Sequence, residues 1–199
     1  MIVDSVLAGG QKAAYTFTHW ATAGFETPDI PMATMTQAER NAQAVTLLET
    51  AGYGSDNPLS VKLIYNTSDA HKGIAIAISQ MWKQTLRVST ELNNEEWQVF
   101  LETRGNQDYE IARAGWCAGY NDAKYTNPEV DALLANAKTA DNPQADYTAV
   151  EQLIAQDTPI IPIYHDSADK MLRATVKGWA YDNFQQNWYS KDLYRVVGE

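Results

Sequence analysis

Apolar residues recur at helical spacing in the first part of the chain and predict a capped amphipathic helix. Thr36 and Glu39 match a capping box, in which each side chain satisfies an unpaired backbone N–H group of the first turn. Gly52 suits the position just after a helix, because glycine accepts a positive φ there. We therefore predict a helix from Thr36 to Gly52, with an apolar face formed by Ala44, Val45, Leu48 and Ala51.

The middle of the chain alternates between strand and helix patterns. Residues 61–65 predict a strand, and Ser68 or Asp69 then caps a helix. The apolar positions of that helix are Ile74, Ile78, Met81, Trp82 and Leu86. A strand at 88–92, a helix at about 94–104 and a strand at 109–116 follow. This order of elements favours an α/β layer with partly parallel strand pairing.

Beyond residue 121 the pattern becomes helical. Asn127-Pro128 and Asn142-Pro143 each match an N-cap followed by proline at the first helical position. Two apolar stripes follow: Val130, Leu133, Leu134 and Ala137, and then Tyr147, Val150, Leu153 and Ile154. Pro159 ends the second helix, and residues 160–164 predict a short buried strand. The tail from Ala174 is rich in Trp and Tyr and has no clear period.

Composition is typical of a folded globular protein and excludes several classes. The 199 residues are 45% hydrophobic and 20% charged, which argues against disorder. The net charge of -10 argues against a nucleic-acid surface and against docking on anionic lipid. No apolar run approaches the roughly 20 residues of a membrane-spanning helix. The start is not a signal peptide, since Asp4 interrupts it, so we expect a cytoplasmic protein or part of an exported one.

The residue types that usually carry catalysis do not occur in catalytic arrangements. His19, His71 and His165 are far apart and match no metal-binding spacing. The single cysteine, Cys117, cannot form an internal disulfide or a Cys-rich zinc site. The sequence also contains neither a nucleophile elbow nor a phosphate loop. We expect a protein that is not an enzyme and that needs no metal or cofactor.

Aromatic residues and two arginines are concentrated in the middle of the chain. By helical spacing, Trp97, Phe100, Leu101 and Arg104 share one face. Arg113 alternates with apolar residues in a predicted strand, and a guanidinium is costly to bury without an anion. Two interpretations remain open: Arg113 pairs with an internal carboxylate, or its anion is a ligand.

Residues 112–118, with the sequence ARAGWCA, are followed by Tyr120 and Asn121 and closely resemble a signature of the periplasmic oligopeptide-binding proteins of the extracellular solute-binding family. Other segments resemble the same family: GGQ at 9–11, AYTFT at 14–18, AGY at 51–53, LIYNTSD at 63–69, HK at 71–72, AIA at 75–77, EW at 96–97 and FLETR at 100–104. The resemblance covers nearly the whole chain.

The resemblance implies a fold, a location and partners. The fold class would be α/β, a lobe of the type II periplasmic binding proteins with a mixed sheet flanked by helices. Residues 1–166 would form the peptide-binding C-terminal lobe, and residues 167–199 would return to the other lobe of a hinge-closing receptor. Such a receptor binds short peptides in the periplasm and delivers them to the membrane permease of an ABC importer, and we expect a monomer.

The resemblance also implies roles for individual residues. Gly115, Trp116 and Cys117 would pair with the peptide main chain, a β-augmentation that does not depend on peptide sequence. His71, Arg104 and Arg113 would meet the carboxylate of the peptide, directly or through water. The roomy side-chain pockets would be lined by Trp97 and Trp116, and the tyrosine-rich strand of the family corresponds to Tyr164 and His165.

Three positions depart from the family. Gly119 stands where the family carries an aspartate that binds the α-amino group of the peptide. The connection at residues 121–126 is shorter than in the relatives, and His165 and Asp166 change the tyrosine-rich strand. Two alternatives remain: a lobe or interaction domain that has lost high-affinity peptide capture, and a receptor for a related ligand such as a dipeptide or a murein peptide.

Overall fold

The computed structural model describes residues 1–22, 24–115, 125–166, 171–180 and 188–197. The helices are α1 (Pro31–Thr34), α2 (Gln37–Thr50), α3 (Asp69–Leu86), α4 (Trp97–Asn106), α5 (Pro128–Ala137) and α6 (Gln144–Asp157). The strands are β1 (Lys12–Ala13), β2 (Ser60–Asn66), β3 (Ser89–Glu95), β4 (Ile111–Ala112), β5 (Tyr164–His165), β6 (Val176–Lys177) and β7 (Tyr194–Arg195). A π-helical segment, Ile2–Leu7, precedes β1, and a 3-10 turn, Ser190–Asp192, precedes β7.

A three-stranded parallel sheet lies in the middle of the chain, with β2 between β3 and β4. Leu63 and Tyr65 of β2 pack against α3, and the opposite-facing Ile64 is fully buried as well. Consecutive burial is the pattern of a central parallel strand with both faces covered. The α/β class predicted from the alternation of elements is therefore confirmed, together with the parallel pairing.

The register of the sheet brings the carboxyl ends of its strands to one edge. Asn66 at the end of β2 is paired with Glu95 at the end of β3, and Ile64 is paired with Ala112. Helices α3 and α4 begin directly after β2 and β3. We call this edge, where the three strands end, the carboxyl edge of the sheet.

The helix predicted at 94–104 begins later than expected. Asn94 and Glu95 continue β3, because they pair with the last two residues of β2, and the Glu96 side chain then caps α4 at Trp97. The strand predicted at 88–92 is longer in the structure, where β3 covers Ser89–Glu95. The predicted strand at 109–116 is assigned only over Ile111–Ala112 in the described part of the chain.

The capping signals of the helices are confirmed where they were strongest. Thr36 and Glu39 form the predicted capping box of α2, and Gly52 adopts a φ of 86° after its end. The Asn127 side chain caps α5 by accepting from Glu129 and Val130. Pro143, and not Asn142, occupies the cap position of α6, although the Asn142 oxygen still accepts from Gln144.

Helices α5 and α6 pack against each other and share an apolar core of their own. Val130, Val150 and Ile154 are buried there, with Leu133 and Leu134 packed against them. Glu151 of α6 is also buried, with 3% of its surface exposed. Its carboxylate accepts the backbone N–H groups of Phe17 and Thr18, at 3.0 and 2.8 Å. This carboxylate therefore holds the segment after β1 against α6.

The buried strand predicted at 160–164 is wrong in extent and in burial. Ile161 is 63% exposed, and the strand covers Tyr164–His165, which pair antiparallel with β1. Ile163 contributes one hydrogen bond to this pairing, because its carbonyl accepts the Ala14 N–H at 3.2 Å. We call β1 and β5 together the β1–β5 ribbon. In the described residues, parallel and antiparallel pairing thus occur in separate sheets.

The tail forms a second antiparallel pair, in which β6 lies against β7. Gly178 follows β6 with a φ of 80°, and a Cβ atom there would lie 1.8 Å from the carbonyl oxygen of Asp192. Trp179 and Trp188 stack with ring centroids 4.1 Å apart. None of the helices in the described ranges is long and apolar enough to cross a bilayer.

Replacing Glu151 by Gln should destabilise the protein by about 1–3 kcal/mol, because an amide can accept only one of the two backbone N–H groups and leaves the other unpaired. Urea unfolding at neutral pH measures the change. The matched control is Glu49→Gln on exposed α2, which should change the free energy of unfolding by less than about 0.5 kcal/mol. Equal effects of the two substitutions would contradict the role given to Glu151.

Candidate functional site

Four of the residues singled out in the sequence lie at or just beyond the carboxyl edge of the sheet. His71 is in the first turn of α3, Trp97 begins α4, and Arg113 and Gly115 follow β4. Ligands of open α/β sheets bind in the crevice outside the carboxyl ends of the strands. The chain thus brings together residues from three segments at the edge where a ligand is expected.

Arg113 is half-buried and has a neutral partner. Its backbone N–H donates to the Ile64 carbonyl at 2.9 Å, which extends the pairing with β2 by one residue. Its Nη2 donates to the hydroxyl of Tyr164 at 2.9 Å. Within the described ranges no carboxylate forms an ion pair with this guanidinium. The internal carboxylate considered from the sequence is therefore not found there, and the guanidinium of Arg113 remains able to bind an anion.

Gly115 lies next to the guanidinium. A Cβ atom at this position would be 3.9 Å from Nη1 of Arg113, an ordinary contact distance, and the glycine itself is exposed. The missing side chain leaves space beside the positive charge. Gly115 therefore leaves the guanidinium accessible, since glycine has no side chain to cover it.

His71 is held on the same side of the sheet as Arg113. Its Nδ1 lies 3.3 Å from the carbonyl oxygen of Asn66. A carbonyl only accepts, so Nδ1 carries the proton in this hydrogen bond, and Nε2 of the neutral ring is an acceptor. Burial lowers the pKa of His71 below its ordinary value, and the charge of Arg113 lowers it further, while the Asn66 hydrogen bond partly opposes both.

Tyr164 and His165 are neighbours in β5, so their side chains point to opposite faces of the β1–β5 ribbon. Tyr164 faces Arg113, whereas the His165 ring makes an edge contact with His19, with centroids 4.8 Å apart. Burial lowers the pKa of His165, and His19 adds to this effect. Of the two residues, only Tyr164 has a contact with Arg113 in the described structure.

Trp97 and Arg104 lie on one face of α4, as the sequence predicts. Trp97 is 48% exposed and stacks on buried Phe100, with centroids 6.1 Å apart. The Arg104 guanidinium carbon is 5.8 Å from the Phe100 centroid. Seven helical residues separate Trp97 from Arg104, which is about 10 Å along the axis. Trp97 therefore lies at the carboxyl edge, whereas Arg104 lies about two turns further along α4 and contacts the Phe100 ring.

Three predicted site residues, Trp116, Cys117 and Gly119, lie outside the described residues, as do positions 121–124 of the shortened connection. Their roles stay predictions.

Two features of the site were missed by the sequence interpretation. The first is Tyr164 as the partner of Arg113, which is 51 residues away in the chain. The second is the group of Lys12, His19 and Trp20 beside His165. Local spacing reveals neither contact, because Tyr164 is far from Arg113 in sequence and His165 meets the Lys12 group only through the pairing of β5 with β1.

The guanidinium of Arg113 and the hydroxyl of Tyr164 are hydrogen-bond donors, which suit a carboxylate. The Tyr164 oxygen accepts from Arg113, so its own O–H remains a donor. Among the described residues, no group of three or more His, Cys, Asp or Glu side chains could hold a metal ion. The arrangement can therefore bind an anionic end of a ligand next to an aromatic surface.

A sequence model of the bacterial extracellular solute-binding proteins, family 5 middle region, matches residues 1–131. The chain is similar to the periplasmic murein peptide-binding protein of Escherichia coli, with 36% identity over 215 residues that cover 98% of this chain and 40% of the relative. The same identity and shares apply to the periplasmic oligopeptide-binding protein of Escherichia coli.

Solved structures give the same relationship. The murein tripeptide-binding protein of Escherichia coli superposes with a TM-score of 0.89 at 36% identity, over 99% of this chain and 42% of that one. The oligopeptide-binding protein of Haemophilus influenzae, in complex with the peptide RPPGFSPFR, superposes with a TM-score of 0.85 at 32% identity, over 98% and 42%. The chain thus spans about two fifths of the length of these proteins.

Replacing Arg113 by Met should raise the pKa of His71 toward its ordinary value, because one of the two effects that lower it is the charge of Arg113. The titration of the His71 ring protons by NMR measures this pKa in both proteins. Arg104→Met is the matched control and should leave the His71 titration where it is. An unchanged pKa in Arg113→Met would mean that the guanidinium does not face the imidazole.

Proposed function

The chain belongs to family 5 of the bacterial extracellular solute-binding proteins, and on that premise we propose that it is the part of a periplasmic receptor that captures short peptides for an ABC importer. Its fold is that of the type II periplasmic binding proteins. The receptor passes its peptide to the membrane permease and catalyses no reaction.

The observation that carries the proposal is the half-buried guanidinium of Arg113, whose described partner is the neutral hydroxyl of Tyr164. Such a group is stabilised most by a bound anion, and each peptide supplies one at its carboxyl end. Arg113 and Tyr164 then donate to the same carboxylate. His71 lies beside them, and the Nε2 of its neutral ring, which is an acceptor, contributes through a water molecule that donates to both Nε2 and the carboxylate.

The edge of the sheet supports binding of the peptide main chain. Strand β4 is an outer strand of the three-stranded sheet, so the backbone groups on its far side are not used by β2. An extended peptide can add to such an edge by main-chain hydrogen bonds. Gly115, Trp116 and Cys117 continue the chain from β4 and would carry this pairing. Trp97 would form an exposed wall for a peptide side chain, with Arg104 as a second anchor for longer peptides.

The arrangement of the whole receptor is also part of the proposal. Residues 1–166 would act as one lobe, and residues 167–199 would run to the other lobe, with the peptide enclosed between them. The large share of the relatives that lies outside this alignment is consistent with a further lobe in the working protein. We propose a monomer, located in the periplasm like the relatives.

One alternative is a receptor for a different peptide class. The murein peptide-binding and oligopeptide-binding relatives are equally similar at 36% identity, so a murein peptide is a second candidate ligand. Another alternative is loss of tight capture. It is favoured by Gly119, and by an alignment of 215 residues that is longer than the 199-residue chain, so the relatives carry residues with no counterpart here.

In the complete gene product, Arg113→Met should weaken binding of trialanine by about 1.5–3 kcal/mol, because it removes a charge-assisted hydrogen bond to the carboxylate. Calorimetry measures the affinity, and thermal melting without peptide should change little. A structural role of Arg113 predicts the reverse, a lower melting temperature by the same amount with and without trialanine. Trialanine amide is the matched ligand control: it should bind the wild type weakly and lose little more in Arg113→Met.

Restoring an acid with Gly119→Asp should raise the affinity for trialanine but not for N-acetyl-trialanine. A carboxylate at this position would pair with the free α-ammonium group, an interaction whose loss costs about 2–5 kcal/mol in buried pairs. Calorimetry with the two peptides gives the ratio of their affinities in wild type and variant. An unchanged ratio would show that the amino group is bound elsewhere.

A further inference from the structure

The β1–β5 ribbon carries two different sets of side chains on its two faces. Tyr164, which holds Arg113, points to one face, and His165, the next residue, points to the other. Lys12 is the cross-strand partner of His165 and therefore shares its face. One short ribbon thus connects the anchor of the site to a group of basic side chains.

This group contains three basic side chains and one indole: Lys12, His19, His165 and Trp20. The Lys12 ammonium lies 4.5 Å from the centroid of the Trp20 ring, and the His19 ring stacks on the same indole at 5.1 Å. His19 also makes the 4.8 Å edge contact with His165. The Ala21 N–H donates to Nδ1 of His19 at 3.0 Å, so the proton of the neutral His19 ring is on Nε2.

We propose that the His19–His165 pair is an acid-sensitive latch, whose protonation loosens the β1–β5 ribbon and withdraws Tyr164 from Arg113. Two imidazolium rings in contact repel each other, and Lys12 adds a permanent positive charge on the same face. Asp166 follows His165 in the chain and is the nearest acid by sequence. Arg113, which is also a cation, contacts Tyr164 on the other face.

The ribbon is short enough for this repulsion to matter. It consists of two residue pairs, Lys12 with His165 and Ala13 with Tyr164, and one further hydrogen bond from Ala14 to Ile163. Two-stranded ribbons of this kind are only marginally stable by themselves. A modest electrostatic penalty can therefore shift the equilibrium between the closed and the open ribbon.

The direction of the effect follows from the pKa of His165. Burial and His19 lower it in the closed ribbon below its ordinary value of 6.5, so the open ribbon binds protons more readily. The closed form loses stability as the pH falls below 6.5, and the loss is complete below the lowered pKa. At neutral and alkaline pH the latch is closed.

The test on the free protein is amide hydrogen exchange of Ala14, whose N–H closes the ribbon, followed by NMR at pH 7.5 and pH 5.5. After correction for the intrinsic exchange rate, its protection should fall at acidic pH, by at most about tenfold for each unit by which the pKa of His165 is lowered. The Ser89 amide, which donates to Leu59 at the start of the parallel sheet, is the internal reference and should not change.

Variants separate the latch from general acid sensitivity. His165→Phe keeps an aromatic ring without a titrating group, so Ala14 protection should no longer depend on pH. Lys12→Met should reduce the pH dependence of Ala14 protection. It replaces His165→Phe as the test variant if His165→Phe does not fold. His71→Gln is the matched control and should retain the full dependence. Unchanged Ala14 protection in the wild type, or retained pH dependence in His165→Phe, overturns the proposal.

The effect on ligand binding rests on the proposed function and is measured separately, with trialanine and the complete gene product. Affinity should fall between pH 7.5 and pH 5.5 in the wild type and fall less in His165→Phe. Equal affinities at both pH values, with the expected exchange result, overturn the connection from the latch to Arg113. Absence of trialanine binding at both pH values overturns the proposed function, while hydrogen exchange alone then decides the latch.

Discussion

Burial of β2 on both faces is the constraint from which the site follows. A strand with Leu63, Ile64 and Tyr65 all buried needs a partner on each side and a helix on each face. Parallel neighbours supply the partners, and α3 and α4 are the connections that parallel pairing requires. The starts of both helices and the segment after β4 then meet at one edge. His71, Trp97 and Arg113 come together because of this topology, and none of them has to be near the others in sequence.

The sequence predicted local features well and contacts between distant segments poorly. The Thr36–Glu39 capping box and the Asn127 cap were recognisable because their partners are within a few residues. The start of α4 was misplaced because Asn94 and Glu95, which are weak strand formers, are held in β3 by their pairing with β2. Tyr164 could not be assigned to Arg113, since the two residues are 51 positions apart and belong to separate sheets.

In the described residues, the two buried acids accept from neutral donors and have no cationic partner. Glu151 accepts two consecutive backbone N–H groups, so its negative charge is satisfied without a positive partner. Glu95 is less well satisfied: one oxygen receives Asn93, and in the described structure the other is buried without a hydrogen bond. Arg113 has only a neutral phenol among the described residues. Within the described residues, neither buried acid therefore pairs with the half-buried guanidinium of Arg113.

The pairing of β1 with β5 also bears on the order in which parts of the protein fold. The parallel sheet joins segments that are close along the chain, whereas the contact of Phe17 with Glu151 spans 134 residues and the β1–β5 ribbon spans more. Closing such long loops has the higher entropic cost, so these contacts form after the sheet. A chain that emerges from its N-terminus holds β1 unpaired until β5 has been made. The β1–β5 ribbon and the contact of Phe17 with Glu151 are therefore the last of these parts of the fold to assemble.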